Sequence, residues 1–236
     1  MHVRSPPIFV ACVAFATAAH AADFQFESGP QRTHLIELFT SEGCSSCPPA
    51  EAWLSKLKNE PRLWKDFVPL AFHVDYWDHL GWRDPFAAKE WTSRQYRYSS
   101  SWNGNSVYTP GFVLDGREWQ ERTVPVSSNE KAGVLKLSVT NNKISAEFNP
   151  ATGGMRDVDL HVAMLGFDLS TKVTAGENSG RDLHQDFVVL ALMTEKMSDG
   201  KAEIHLTPES RAGAIAAWIT ASNQLEPIQA TGGWLR

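Results

Sequence analysis

The run from His34 to Val74 narrows the possible folds more than any other part of the chain. His34-Leu35-Ile36-Glu37-Leu38-Phe39-Thr40 is a short apolar strand, and Ser41-Glu42-Gly43 turns out of it. Ala50, Trp53, Leu54 and Leu57 then recur at the i, i+3, i+4, i+7 spacing of one helix face. Pro48 and Pro49 stand just ahead, where proline is tolerated because first-turn N–H groups have no intrahelical acceptor. Asn59-Glu60-Pro61 stops the helix, and Phe67 to Val74 reads as a second strand. Strand, helix and strand in this order predict a right-handed crossover between parallel strands. At the turn between the first strand and the helix lie Cys44 and Cys47.

Met1 to Ala21 carries one basic residue, Arg4, an apolar run from Ile8 to Ala16, and the small-residue ending Ala19-His20-Ala21. This is the layout of a secretory signal peptide over residues 1–21, and its apolar run is too short to span a bilayer. A periplasmic or secreted protein is therefore expected. Of three cysteines, Cys12 leaves with the leader and only Cys44 and Cys47 remain. In an oxidising compartment such a pair is expected to be a disulfide at least part of the time. Losing Arg4 takes 22 basic residues to 21 against 27 acidic ones, a net charge of −6. That balance argues against a nucleic-acid partner, which needs a basic surface. No later stretch is apolar enough for a membrane span.

Asp75 to Tyr108 is an aromatic-rich insertion holding all four tyrosines and Trp77, Trp82, Trp91 and Trp102. Asp84-Pro85 predicts a helix from Phe86 to Tyr98 with Asp84 as its N-cap. Thr109-Pro110 then leads into a short strand over Gly111 to Leu114. A polar seam runs from Gln120 to Lys131. Beyond it Leu135, Leu137 and Val139 alternate with polar residues, Asn141-Asn142 turns, and Ile144, Ala146 and Phe148 alternate back, a hairpin pattern. Further strands are expected near Asp157–Leu165, Asp186–Met193 and Ala202–Leu206. The expected layout is a first domain over 22–125 containing the insertion 75–108, and a β-rich, sandwich-like domain over 131–236.

A thiolate, not a thiol, attacks a disulfide. Cys44 precedes a helix N-terminus, whose free N–H groups favour negative charge, and Cys47 one turn later is placed to resolve the mixed disulfide. Glu42 opposes this by raising a nearby thiol's pKa. Two other uses of the pair stand beside exchange. A disulfide over three residues is a structural staple of modest effect, because loop-closure entropy grows with loop length. Cys44 and Cys47 with His73 also make a donor set for Cu(I), or for Zn with a fourth ligand. Asp75, Asp78, His79 and Asp84 read as a hard-ion cluster or as capping and turn residues. The rings of the insertion read mostly as core covering one face of the sheet, or else as the lining of a groove for an extended chain beside the dithiol. Tyr76, Trp77 and Trp82, which follow the second strand directly, are the best groove candidates. Gly176-Glu177-Asn178-Ser179-Gly180-Arg181 reads as a turn-forming polar loop.

Cys44-Ser45-Ser46-Cys47 between strand and helix, with Thr109-Pro110 before a later strand, resembles the active-site layout of the thioredoxin superfamily. More closely, Glu37-Leu38-Phe39-Thr40-Ser41-Glu42-Gly43-Cys44-Ser45-Ser46-Cys47-Pro48-Pro49-Ala50 is similar to the signature of DUF1223, a family of exported bacterial proteins. His73-Val74-Asp75-Tyr76-Trp77-Asp78, Gly81-Trp82-Arg83-Asp84-Pro85-Phe86 and Gly176-Glu177-Asn178 resemble it too. The resemblance implies an α/β thioredoxin-like N-terminal domain followed by a mostly β domain, with Pro110 cis and abutting the dithiol. It implies an exported thiol-disulfide oxidoreductase with Cys44 as attacking and Cys47 as resolving thiol. Pro110 and Thr109 would line the substrate side. The partners would be a protein thiol or disulfide and a redox protein, with no diffusible cofactor. The alternatives are a copper- or zinc-handling protein using Cys44, Cys47 and His73, and a non-catalytic binding module stapled by the disulfide. Arg117 to Val134 departs from the thioredoxin pattern, having no helical periodicity where a closing helix is usual.

Overall fold

The structure, a computed structural model, describes residues 24–140, 143–153, 157–205 and 209–235. The expected leader over 1–21, with Cys12, and the expected turn at Asn141-Asn142 lie outside the described residues.

The first half is built as the sequence pattern predicts over 34–74. After β1 (Phe24–Glu27), β2 (His34–Thr40) leads through the cysteine turn into α1 (Pro48–Lys56), and β3 (Phe67–His73) returns parallel to β2. Both strands are buried along almost their whole length, which explains their continuous apolar character. α1 begins with both prolines in its first turn and packs Ala50 and Leu54 inward. The register Phe39↔Phe72 and Thr40↔His73 brings the end of β3 level with the end of β2.

α2 (Lys89–Ser101) starts later than expected, with Ala88 in extended backbone at its N-cap and no side-chain cap. Asp84 does not cap it. Its carboxylate accepts the Phe86 N–H at 2.9 Å and the Glu42 N–H at 2.8 Å, so it is spent on a local turn and on the cysteine loop. α2 is fastened to the sheet by a buried ion pair. Arg94 donates to both Glu37 oxygens at 2.6 and 3.0 Å, the Tyr98 hydroxyl donates to Glu37, and the guanidinium lies 5.4 Å from the Trp218 ring.

β4 (Gly111–Leu114) runs antiparallel to β2 on its other side, with Phe39 opposite Gly111, and β5 (Arg117–Glu118) closes that edge. β6 (Gly133–Thr140) and β7 (Lys143–Pro150) form the expected antiparallel hairpin. There follow β8 (Val158–Gly166), β9 (Leu169–Lys172), β10 (Asp182–Gln185), β11 (Val188–Lys196), β12 (Lys201–His205), β13 (Ala212–Ala221) and β14 (Pro227–Trp234).

These strands correct the expected fold class. The architecture is mostly β, with two α-helices among the described residues, and it does not present an α/β thioredoxin-like N-terminal domain. The physical reason is β11, which enters parallel beside β3 with Val188 opposite Ala71. One eight-stranded sheet results, ordered β14-β13-β8-β11-β3-β2-β4-β5, with strands from both ends of the chain. Residues 119–132 form no helix, and side chains from the later strands fill the core instead. Ala163, Leu165, Ala214, Ala216 and Trp218 pack in one cluster with Leu35, Phe39 and Phe72.

β13 shows why this works. Its run Ala212–Ala221 is buried on both faces. Ala214, Ala216 and Trp218 belong to the core shared with β2 and β3. Ile215, Ala217 and Ile219 belong to a second core with Leu135, Ile144 and Phe148. That second core fills the space beneath a four-stranded antiparallel sheet, β1-β6-β7-β12. β9 and β10 form a separate two-stranded ribbon. Among the described residues, no helix is long and apolar enough to cross a membrane.

Candidate functional site

Three strand ends converge on the cysteine turn. β2 ends at Thr40, four residues before Cys44; β3 delivers His73 to Trp77; and β4, starting opposite Phe39, delivers Thr109 and Pro110. The Thr109–Pro110 peptide bond is cis. Gly43 is required by closeness: a Cβ there would lie 2.8 Å from the Trp77 Cβ.

Cys44 and Cys47 are both free thiols and both fully buried. The Cys44 sulfur lies 3.3 Å from the Ser46 hydroxyl and 3.8 Å from the Thr109 carbonyl oxygen. Cys47 heads α1, its carbonyl accepting the Ala50 and Glu51 N–H groups. The two thiols differ sharply. A hydrogen bond from Cys47, helped by Ser46 and Thr109 and opposed by burial, lowers the Cys44 pKa to about 6. Burial, reinforced by the neighbouring Cys44, pushes the Cys47 thiol far up. One sulfur is thus poised as thiolate at neutral pH while the other keeps its proton.

The three aromatic groove candidates are half-buried and spend their polar tips on the walls of this site. The Trp77 indole N–H donates to the Thr109 hydroxyl at 2.8 Å. The Trp82 indole N–H donates to Glu42 Oε2 at 3.0 Å. The Tyr76 hydroxyl donates to Gln95 at 3.3 Å, and Gln95 donates in turn to the Tyr108 carbonyl at 2.6 Å, fixing the segment ahead of Pro110. A hollow of about 450 Å³ is lined by Pro110 itself together with Tyr108, Phe112, Glu118, Trp119 and Arg122, and by none of Tyr76, Trp77 and Trp82.

His73 does not join the cysteines in a metal-ligand set. Its ring turns to Asp84, Nδ1 lying 2.7 Å from Oδ2, and its buried Nε2 has no partner. Among the described residues, no group of three or more His, Cys, Asp or Glu is arranged to hold a metal. Asp75 and Asp78 serve as turn acceptors, for Thr92 and for the Asp84 N–H, and His79 bonds the Tyr76 carbonyl.

Behind the dithiol lies a buried set of ionisable groups: Glu42, Glu51, His73 and Asp84. Burial and the charge of Asp84 raise the Glu42 pKa to about 7, against the Trp82 hydrogen bond. Glu42 therefore opposes the Cys44 thiolate less than an ordinary carboxylate. Burial also raises Glu51, which accepts the Thr40 hydroxyl at 2.6 Å. Burial disfavours both charges of the His73–Asp84 pair, yet each partner's charge wins, holding His73 above and Asp84 below its usual value.

The contact hardest to foresee is Asn178. It is fully buried and sits beyond the tip of β9, well over a hundred residues from the turn it holds. Its amide donates to the Glu42 carbonyl at 2.8 Å and the Cys44 carbonyl at 2.9 Å, while its own oxygen accepts Arg181 at 2.8 Å. Next to it, the exposed Glu177 carboxylate accepts the Ser45 N–H at 3.0 Å. The polar loop 176–181 does turn, but its purpose is to clamp the dithiol. Only the family-like Gly176-Glu177-Asn178 string pointed to it.

A protein of known crystal structure from Agrobacterium tumefaciens is similar, at 25% identity and a TM-score of 0.65, over 87% of this chain and 96% of that one. HBP35 of Porphyromonas gingivalis shares the fold at 14% identity and a TM-score of 0.52, over 88% of this chain and 76% of that one. No curated protein sequence matches the chain significantly. The family model described as a protein of unknown function, DUF1223, matches residues 35–220, and the chain belongs to that family.

Proposed function

We propose that Cys44 and Cys47 exchange disulfides with a protein substrate, in an exported protein regenerated by a redox partner. The observation carrying this reading is the asymmetry of the pair. Cys44 is hydrogen-bonded by Cys47 and Ser46 and stays ionised to about pH 6, while Cys47 retains its proton. A staple needs no such division, since its two sulfurs are equivalent once bonded.

In the exchange, the Cys44 thiolate attacks one sulfur of a substrate disulfide. A Cys44–substrate S–S bond forms, the substrate S–S bond breaks, and the leaving thiolate takes a proton from solvent. Cys47 then loses its proton and attacks the Cys44 sulfur, releasing the second substrate thiolate. Two electrons have passed from the dithiol to the substrate; the reverse sequence oxidises a dithiol substrate. Asn178 and Thr109 hold the turn from either side, and the hollow beside Pro110 offers room for an extended chain.

The test is alkylation of the reduced chain across pH. Cys44 is expected to react with a midpoint near 6, against about 8.5 for an ordinary thiol. Cys47→Ser should trap a mixed disulfide with a model disulfide, and Cys44→Ser should form none. A Cys44 midpoint at 8 or above, or a Cys44→Ser chain that reduces model disulfides as the wild type does, overturns the reading.

A further inference from the structure

Arg32, Arg62, Arg94 and Arg211 each reach a carboxylate. Arg122 has none within ion-pair distance among the described residues, in a chain with 27 acidic residues against 22 basic ones. Its guanidinium lies over the Phe112 ring instead, 6.0 Å from the centroid, and the residue is exposed. The backbone at Arg122 is left-handed, with φ at 49°, a conformation uncommon outside glycine that the surrounding structure has to hold.

Arg122 lines the hollow of about 450 Å³ that also takes in Pro110. Thr109, just before Pro110, has its carbonyl oxygen 3.8 Å from the Cys44 sulfur, so the hollow adjoins the attacking thiol. Phe112 and Trp119 give it an aromatic wall. Trp53 backs that wall, meeting the two rings edge-on with centroids 5.4 and 5.7 Å away. Trp53 belongs to α1, the helix that Cys47 heads, which ties the wall to the dithiol. Tyr108 leaves 49% of its surface open to solvent. The second charge in the hollow is Glu118, and it already accepts the Tyr108 hydroxyl. Burial, with Glu118 beside it, pushes the Tyr108 pKa up to about 12, so that proton stays in place. Glu118 is thus occupied, and Arg122 is the charge left for a ligand.

We propose that Arg122 selects protein substrates in which an acidic residue flanks the cysteine presented to Cys44. The inference rests on the exchange reading above and names a substrate class for it, an extended acidic segment. The substrate carboxylate pairs with the guanidinium, whose planar fork matches it, while the neighbouring chain lies against Trp119 and Tyr108. Arginine and large aromatic rings are the residue types that most often anchor a bound chain. A basic residue in the same place would meet a like charge. Arg122 touches neither sulfur and adds no bond-making step; it decides which chain arrives. Because the hollow opens to solvent, its effect falls on the association rate and is screened by salt.

The experiment uses the full chain carrying Cys47→Ser, in which attack by Cys44 stops at the mixed disulfide, and times the adduct by mass. The probes are short peptides joined as disulfide dimers, with Asp, Asn or Lys beside the cysteine, and hydroxyethyl disulfide as an uncharged reference. Each rate is divided by that of a small uncharged thiol with the same disulfide, which removes differences in the peptides' own reactivity. At low salt the Asp peptide should react about 5–10-fold faster than the Lys peptide, with Asn between them. The span should close near 1 M salt, where the screening length is only about 3 Å. Arg122→Gln should narrow the span and Arg122→Glu should reverse the order. Lys196→Glu, the same change of charge at the exposed end of β11, should leave the order as it was. The uncharged disulfide should react at one rate in all these chains. An order that survives Arg122→Glu, or a Lys peptide that reacts fastest in the parent chain, overturns the proposal while the exchange stands. So does an Arg122 variant that shifts the uncharged disulfide as much as the peptides, since Arg122 would then act on Cys44 itself. No adduct with any of the disulfides overturns the exchange reading, and the selection with it.

Discussion

At the residue scale the site depends on charges kept out of water. Glu42 is fully buried, one oxygen bonded to Trp82 and the other without a partner. Its pKa near 7 stands above the ordinary value of 4.5, so the folded chain holds a proton that the unfolded chain gives up. The resulting stability is present below about pH 4.5 and is lost as pH rises through 7. Glu42→Gln keeps the acceptor for Trp82 and removes the charge. It should be near neutral at pH 5 and stabilising by up to about 3 kcal/mol at pH 8, read from urea unfolding at both pH values. An equal effect at both would show that Glu42 does not titrate in the folded state. The sequence made Glu42 legible as a neighbour of the thiols, because that proximity is local. It hid the Trp82 contact and the burial, which depend on residues forty positions away. Cys44, Cys47, Thr109 and Pro110 were legible for the same reason Glu42 was: each is marked by a short pattern. Thr40 and Glu51 carry no such mark, since a threonine at a strand end and a glutamate on a helix are commonplace until the fold buries them together.

At the element scale the β9–β10 ribbon holds the dithiol turn without belonging to either large sheet. Asn178 uses both amide hydrogens and its oxygen, on Glu42, Cys44 and Arg181, which is nearly the full capacity of that side chain. Asn178→Ala leaves the buried Glu42 carbonyl without this donor and should cost roughly 2–3 kcal/mol. Asn178→Asp should cost more, because a carboxylate would face two carbonyl oxygens. Chemical unfolding of the three proteins ranks them, and variants within about 0.5 kcal/mol of wild type would show that the clamp does not hold the turn. Period and punctuation alone placed the elements over 34–74 and the β6–β7 hairpin, because those patterns arise within single elements. The Asp84-Pro85 pattern matches a cap, yet α2 starts at Lys89 with Ala88 at its N-cap. What the sequence cannot show is that the Asp84 carboxylate is already committed to Glu42, His73 and Phe86.

At the scale of the whole molecule, the fold overturns the expectation of an α/β class for the first half. Each half looks self-sufficient in one dimension: a strand–helix–strand unit first, then strands of alternating or continuous apolar character. The link between them is β11 beside β3, a parallel pairing across more than a hundred residues that no local pattern encodes. Its backbone bond from Ala71 N–H to the Phe187 carbonyl, at 2.8 Å, turns the edge of β3 into the middle of a sheet. The packing repeats this dependence. Phe72 and Trp218 share the Arg94 guanidinium, each 5.4 Å from it, and the buried Glu37–Arg94 pair would face water without β13. Gln229 on β14 donates to carbonyls of Gly29, Gln31 and Gly133, tying the start of the described chain to its end. A fragment of residues 24–132 should therefore not fold to a fixed structure, although it contains the whole strand–helix–strand unit and both cysteines. It would leave β3 as a bare apolar edge and expose Leu35, Phe72 and the base of α2, a surface prone to association. Gel filtration and amide proton dispersion read the outcome: a dispersed, monomeric spectrum with Cys44 still reacting at a midpoint near 6 would mean that the first half folds alone and that the later strands only cover it.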